Sequence, residues 1–192
     1  MLNDCSNLTD NELVDKVLED QDYFRCIVNR YEDKLTRYIL RITSVNKEDA
    51  EDILQDVFIN VYKNLNGFDG NLKFSSWIYR ITHNQVISRW RKEKNTPTVF
   101  KNDDNLELFN KIMAEDDLFL ELTKKDLEKE VGDILGKLKK EYAEVLVLKF
   151  LEEKSYREIS DILKKPMGTV ATLINRAKKD FKQIMNRQSN NK

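Results

Sequence analysis

Glycine and proline are scarce in this 192-residue chain, with 5 and 2 copies against 40% hydrophobic and 35% charged residues. So few turn formers exclude the frequent tight turns of a sandwich or barrel and favour long helices. The expected class is all-α, and the length suits two small helical domains. Histidine is nearly absent, with 1 copy, and the 2 cysteines, Cys5 and Cys26, lack the close spacing of a zinc or thioredoxin-like motif. That excludes the usual His/Cys metal site and leaves the thiols expected as reduced and structural. No uninterrupted apolar run approaches ~18 residues, so no membrane insertion is expected. The segment MLNDCSNLTDNE has neither a basic start nor an apolar signal core, which points to a soluble, cytoplasmic protein.

An excess of one charge is also missing. The net charge is only -1, which removes the simple argument that a basic protein binds nucleic acid. The charge is instead segregated along the chain. Between Lys73 and Lys94 stand Lys73, Arg80, Arg89, Arg91, Lys92 and Lys94, with Glu93 the lone acid. Between Asn95 and Thr123 the sign reverses through Asp103, Asp104, Glu107, Glu115, Asp116, Asp117 and Glu121, against Lys101 and Lys111. It returns to positive after Ala171 through Arg176, Lys178, Lys179, Lys182, Arg187 and Lys192, with Asp180 opposing. Two basic segments therefore flank an acidic one.

Apolar periodicity places the helices. Thr9-Asp-Asn-Glu12 is a capping box opening a short helix to about Glu19. Phe24, Ile27, Val28, Tyr31, Leu35, Tyr38, Ile39 and Ile42 predict a longer one from near Asp22 to Thr43. A third begins near Lys47, with acids in its first turn, and ends before Asn66-Gly67. A fourth covers Phe74 to about Glu93. The Asn95-Thr-Pro-Thr98 stretch breaks it, and residues 95–124 read as an acidic linker with a helical turn at Leu106 to Met113. Periodicity resumes at Leu127, Val131, Ile134, Leu135 and Leu138 and continues in the apolar run Ala143 to Leu151. The domains so drawn span 8–94 and 125–187.

Three constellations carry chemistry. Ser155-Tyr-Arg-Glu158 caps a helix that Pro166 and Gly168 end, and Thr169 opens another. This is helix-turn-helix spacing, with Arg176, Lys178, Lys179 and Lys182 placed for phosphates; the plainer alternative is a helical hairpin with a solvated basic face. On the helix from Lys47, Ile53, Leu54, Val57, Phe58, Val61 and Leu65 form one stripe, and Ile59 falls on the opposite face among Asp52, Gln55 and Asp56. An apolar anchor in an acidic rim suits docking on a basic partner helix, though a solvated face fits the pattern equally. Phe68, Phe74, Trp77, Tyr79 and Trp90 interleave with Arg80, Arg89, Arg91 and Lys92, as an unstacked-base site requires. For Phe74, Trp77, Ile78 and Ile81, which share one face, core packing is the favoured reading. A magnesium nuclease built on Glu48, Asp49, Glu51, Asp52 and Asp56 is disfavoured, because those acids occupy two faces and no lysine or histidine base accompanies them. No catalytic residue, metal or cofactor is expected.

The segments Asp49-Ala-Glu-Asp-Ile-Leu-Gln-Asp-Val-Phe58, Phe74-Ser-Ser-Trp-Ile-Tyr-Arg-Ile-Thr-His-Asn84, Ser155-Tyr-Arg-Glu-Ile-Ser160 and Pro166-Met-Gly-Thr-Val170 together resemble the conserved regions of extracytoplasmic-function sigma factors, in order and at matching separations. The resemblance implies a promoter-directed initiation factor with regions 2 and 4 of the sigma-70 family. It implies that Asp49, Asp52, Gln55, Asp56, Ile59 and Tyr62 dock on the β′ clamp helices of core RNA polymerase. Phe68, Trp77, Arg80, Asn84, Arg89 and Arg91 would capture the minus-10 element, Phe68 and Asn84 holding a flipped base. Thr169, Ala171, Thr172, Asn175, Arg176 and Lys179, in the helix-turn-helix from Tyr156 to Asn175, would read the minus-35 element. The acidic linker would thread toward the RNA exit channel, and the C-terminal domain would touch the β flap. A dedicated anti-sigma factor is a further partner that the family admits. Two departures matter: Ala171-Thr172-Leu173 stands where the family usually has Lys-Ser-Arg, which shifts minus-35 reading toward methyl contacts or shape, and Ser88 stands where Asp is frequent. The alternative is a helix-turn-helix regulator that acts on duplex operators without polymerase.

Overall fold

A computed structural model of the chain describes residues 5–43, 45–93, 105–114, 134 and 136–189, and every regular element among them is helical. The chain divides into two compact units, one comprising Met1–Ile39 and Asn46–Lys94, the other Leu40–Val45 and Asn95–Lys192.

In the first unit, α1 (Asp10–Glu19) opens with the expected capping box, Thr9 and Glu12 each satisfying a backbone N–H of the other. A single 3-10 turn, Gln21–Tyr23, leads into α2 (Phe24–Ile42). Asn46 caps α3 (Lys47–Asn64) by accepting from the Asp49 N–H, and another 3-10 turn, Leu65–Gly67, ends that helix where Asn66-Gly67 predicts. The fourth helix, α4, runs Phe74–Glu93. The periodic residues meet in one core: Leu13, Val14 and Val17 of α1, Ile27, Leu35 and Tyr38 of α2, Ile53, Val57 and Val61 of α3, and Phe74, Ile78 and Val86 of α4 are buried. Each such side chain contributes about 1.5 to 3 kcal/mol relative to exposure, so the stripes rather than helix propensity hold the bundle. The core-packing expectation holds for Phe74, Trp77 and Ile78, which are buried, whereas Ile81 is only half-buried.

The expectation of reduced thiols is corrected. Cys5 and Cys26 are joined as a disulfide, their Cα atoms 6.1 Å apart. The cause lies one helical turn along α2, where the Arg30 guanidinium donates to the carbonyls of Cys5 and Leu8 at 2.7 and 2.8 Å and to Asp10 Oδ1 at 2.8 Å. That fork folds the segment before α1 back onto α2 and delivers Cys5 to Cys26, a meeting that a 21-residue separation gives no hint of.

In the second unit, α5 (Asn105–Ala114) lies within the stretch expected to be linker. It packs on the Val147–Leu151 turn, burying Leu108 and Ile112, and Lys111 bridges Glu107 and Glu153 at 2.9 Å each. An i, i+4 apolar pair among acids was enough to attach it. Residues 95–104 and 115–133, including Asp103, Asp104, Asp116 and Asp117, lie outside the described residues, as do Leu127, Val131 and Leu135. Next, α6 (Lys140–Leu146) continues into a π-helical turn, Val147–Leu151, and this apolar run is buried at Tyr142, Ala143, Val145, Leu146, Val147, Leu148, Phe150 and Leu151. Then come α7 (Tyr156–Leu163) and α8 (Met167–Ser189). The anticipated Ser155 capping box is present. The turn between them differs from expectation. Lys164, in the left-handed region at φ 53°, ends α7, while Ser160 accepts the Lys165 N–H at 3.2 Å and donates its hydroxyl to the Lys165 carbonyl at 2.5 Å. Pro166 accepts the first helical bond of α8, from Val170, so Gly168 sits inside the new helix rather than ending the old one.

Candidate polymerase and promoter interfaces

Helical geometry divides the six acid-rimmed residues of α3 into two sets. Asp52, Gln55, Ile59 and Tyr62 face outward, and Ile59 and Tyr62 keep 50% and 41% of their surface in solvent. Large side chains this exposed on one helix face leave a patch that is only partly covered. The Tyr62 ring packs edge-on against Phe24, centroids 5.1 Å apart, and the two line a hollow of about 590 Å³ with Gln21, Asp22, Arg25 and Val28. Asp49 and Asp56 turn instead toward α4. Asp49 pairs with Arg89 at 3.6 Å, and Asp56 accepts from Gln85 Nε2 at 3.0 Å.

On the other side of that seam, α3 and α4 enclose a groove of about 390 Å³ lined by Asn60, Asn64, Gly67, Trp77, Ile81, Asn84, Gln85 and Ser88. Two of the expected minus-10 residues, Trp77 and Asn84, thus share one site. Phe68 does not line it. Its ring lies 5.4 Å from the rings of both Phe74 and Trp77, so Trp77 connects an aromatic cluster to the groove. Arg80 is half-buried, and Arg89 is held by Asp49; the side chain of Arg91 lies outside the described residues. Sequence reasoning missed Asn60, Asn64 and Gln85. The signal available was an asparagine pair at i, i+4 beside the apolar stripe of α3, where a purely solvated face gives no reason for amides.

On α8, Val170, Leu173, Ile174, Ala177 and Phe181 turn inward and pack on α6 and α7. Thr169, Thr172, Asn175, Arg176 and Lys179 are exposed, and Ala171 is half-buried at the edge of their row. Thr172 donates its hydroxyl to the Gly168 carbonyl at 2.8 Å, which commits its proton to the helix and leaves its methyl group for an outside contact. A projecting helix with polar and basic residues along one face is shaped for a major groove.

Comparison with known proteins completes the picture. Residues 27–96 match the family model for Sigma-70 region 2, and residues 128–181 match that for Sigma-70, region 4. The extracytoplasmic-function sigma factor SigW of Bacillus subtilis is 36% identical over 173 residues, covering 85% of this chain and 89% of SigW. The sigma-E factor of Haemophilus influenzae is 30% identical over 179 residues, covering 91% and 94%. The fold matches that of the sigma factor RpoE of Bartonella quintana, solved with the anti-sigma factor NepR, at a TM-score of 0.61 and 18% identity, over 85% of this chain and 96% of that one. The region 2 match removes the reading of a simple operator-binding regulator, since that reading gave no role to the N-terminal unit. With both regions matched, in order, and relatives aligned along most of their length, the chain belongs to the extracytoplasmic-function sigma factors of the sigma-70 family, which direct promoter-specific initiation by RNA polymerase.

Proposed function

We propose that this sigma factor divides its work between the two faces of α3 and the projecting face of α8. The outward face, Asp52, Gln55, Ile59 and Tyr62, docks on the β′ clamp helices of core polymerase; Asp49 and Asp56 hold α4 behind it. The groove with Asn84 and Trp77 captures one base of the minus-10 element, Phe68 supports Trp77, and Arg80, Arg89 and Arg91 hold the strand. On α8, Thr169, Ala171, Thr172, Asn175, Arg176 and Lys179 read the minus-35 element. The acidic stretch beyond α4 bridges the two DNA-binding units, and the C-terminal unit touches the β flap. The protein works in the cytoplasm, carries no catalytic residue, and is held in check by an anti-sigma factor.

The observation supporting this most directly is the exposure of Ile59 amid acids, because an uncovered apolar centre with a charged rim is the form of an interface hot spot. The test is core binding by the full chain. Ile59→Glu and Asp52→Lys should each weaken it by about 2 kcal/mol or more, with helical content and melting temperature unchanged. Wild-type binding in both variants would refute the docking face. A third variant, Asp15→Ala, at an exposed residue of α1, serves as the control.

A further inference from the structure

The groove carries more information than a site for some base, because the amides on its α3 wall have fixed orientations. A carboxylate oxygen only accepts, so the Gln85 amide must present Nε2 to Asp56, at 3.0 Å. Its carbonyl Oε1 then points the other way and accepts from Asn60 Nδ2 at 3.1 Å. That engages one N–H of the Asn60 amino group, fixes the direction of the amide and leaves its Oδ1 without a partner among the described residues. Asn64 is fixed by the same logic: its Nδ2 donates to the backbone carbonyl of Asn60 at 2.8 Å, which only accepts, and Asn64 Oδ1 is left over. Across the groove, the exposed Asn84 makes no hydrogen bond among the described residues and keeps both a donor and an acceptor.

We propose that Asn60 and Asn64 are specificity-determining residues of this groove and select a base with an amino group in place of the 4-oxo or 6-oxo group, cytosine or adenine, over thymine or guanine. The inference rests on the reading that the groove captures a promoter base. An amino group brings donors to two unengaged carbonyl oxygens. The O4 of thymine or O6 of guanine in the same place sets acceptor against acceptor, leaving polar atoms unpaired in a partly desolvated site. Asn84, able to donate and accept, reads the remaining edge and adapts to either permitted base. Gln85 is a positioning residue, since both ends of its amide are taken by Asp56 and Asn60. Its role is to aim the Asn60 carbonyl.

The test uses the full chain with core polymerase on promoters carrying each of the four bases at every minus-10 position. A parallel series replaces the preferred base by an analogue without its amino group, 2′-deoxynebularine for adenine or 2-pyrimidinone deoxyriboside for cytosine. At the one position where Asn84→Ala relaxes preference, the wild type should favour adenine or cytosine by about tenfold, and the analogue should lose the same factor. In N60A/N64A the discrimination should fall to within about threefold at that position alone. N64A by itself, which removes only an exposed amide bonded to its own helix, should lose part of it with melting temperature and core binding unchanged. Full discrimination in N64A and N60A/N64A, with Asn84→Ala still relaxing that position, would overturn the assignment of the α3 wall while leaving base capture intact. If Asn84→Ala relaxes no position, base capture fails and this proposal fails with it.

Discussion

The two regions of this protein proposed to face DNA pose opposite geometric problems. The groove between α3 and α4 is concave and lined by amides whose partners fix their direction, whereas α8 presents a convex row of threonine, asparagine, arginine and lysine. A concave site supplies its own walls and can impose directional hydrogen bonds on a base that enters it. A convex helix borrows its walls from the DNA groove and depends on phosphate contacts for register. The difference teaches where discrimination should reside: at single positions for the N-terminal unit, and spread over the site for the C-terminal one. The uncharged Ala171-Thr172-Leu173 sharpens this contrast, since the cations of α8 begin only at Arg176.

The two units should also differ in what destabilises them. Reducing the Cys5–Cys26 disulfide, or replacing Cys26 by Ser, reopens a loop of 21 residues and should cost the N-terminal unit about 3 kcal/mol. Hydrogen exchange in oxidised and reduced protein checks this, and equal loss of protection in α6 to α8 would break the separation of the units. A smaller effect belongs to the C-terminal unit. Burial raises the Glu144 carboxyl to about 7, against the opposing pull of Lys140 and Lys165. Its folded-state value lies above its unfolded one, so its contribution is full below about pH 4.5 and lost as pH rises through about 7. Glu144→Gln should therefore stabilise the protein by about 2 kcal/mol at pH 8 and change little at pH 4.5. Melting curves across that range decide it, and a pH-independent gain would assign the effect to packing instead.

Smaller still are the effects on DNA. Asn84→Ala should cost about 1.5 kcal/mol at one minus-10 position and nothing elsewhere. Arg176→Ala should lower activity on all promoters by about 1 kcal/mol and reduce the salt slope of binding by about one. Transcription from position-varied promoters across a salt series tests both, and a uniform loss for Asn84 with a position-specific loss for Arg176 would invert the comparison. The least effect is expected at Lys164, which holds φ 53° in the helix-turn-helix turn. Lys164→Gly should raise stability by about 0.5 to 1 kcal/mol, measurable by urea unfolding.

Much of this was legible in the amino-acid order because the relevant signals are local. The Thr9 and Ser155 capping boxes, the Asn66-Gly67 stop and the Phe74 start all depend on contacts within a few residues, and they appear where the sequence puts them. The outward set of α3 was equally visible, since 100° per residue places Ile59 beside Asp52 and Gln55. What was not legible came from pairings across the chain. The turn of Asp49 and Asp56 toward α4 depends on Arg89 and Gln85, and the meeting of Cys5 with Cys26 depends on Arg30. The docking of α5 was hidden because Leu108 and Ile112 are a short apolar pair in acidic surroundings, and only the Val147–Leu151 turn gives them something to cover.

The Cys5–Cys26 link has a mechanical consequence. Joining residue 5 to residue 26 makes a closed ring that contains the whole of α1. A force applied to the chain ahead of Cys5 passes through the sulfurs directly into α2 and bypasses the ring, so about 70 Å of contour stays hidden from extension. A machine that unfolds proteins by threading them from the N-terminus would meet a doubled strand at Cys5 while the bond is intact and a single strand once it is reduced. The lifetime of this sigma factor under such threading would then follow the thiol balance of its surroundings, independently of any contact it makes with DNA.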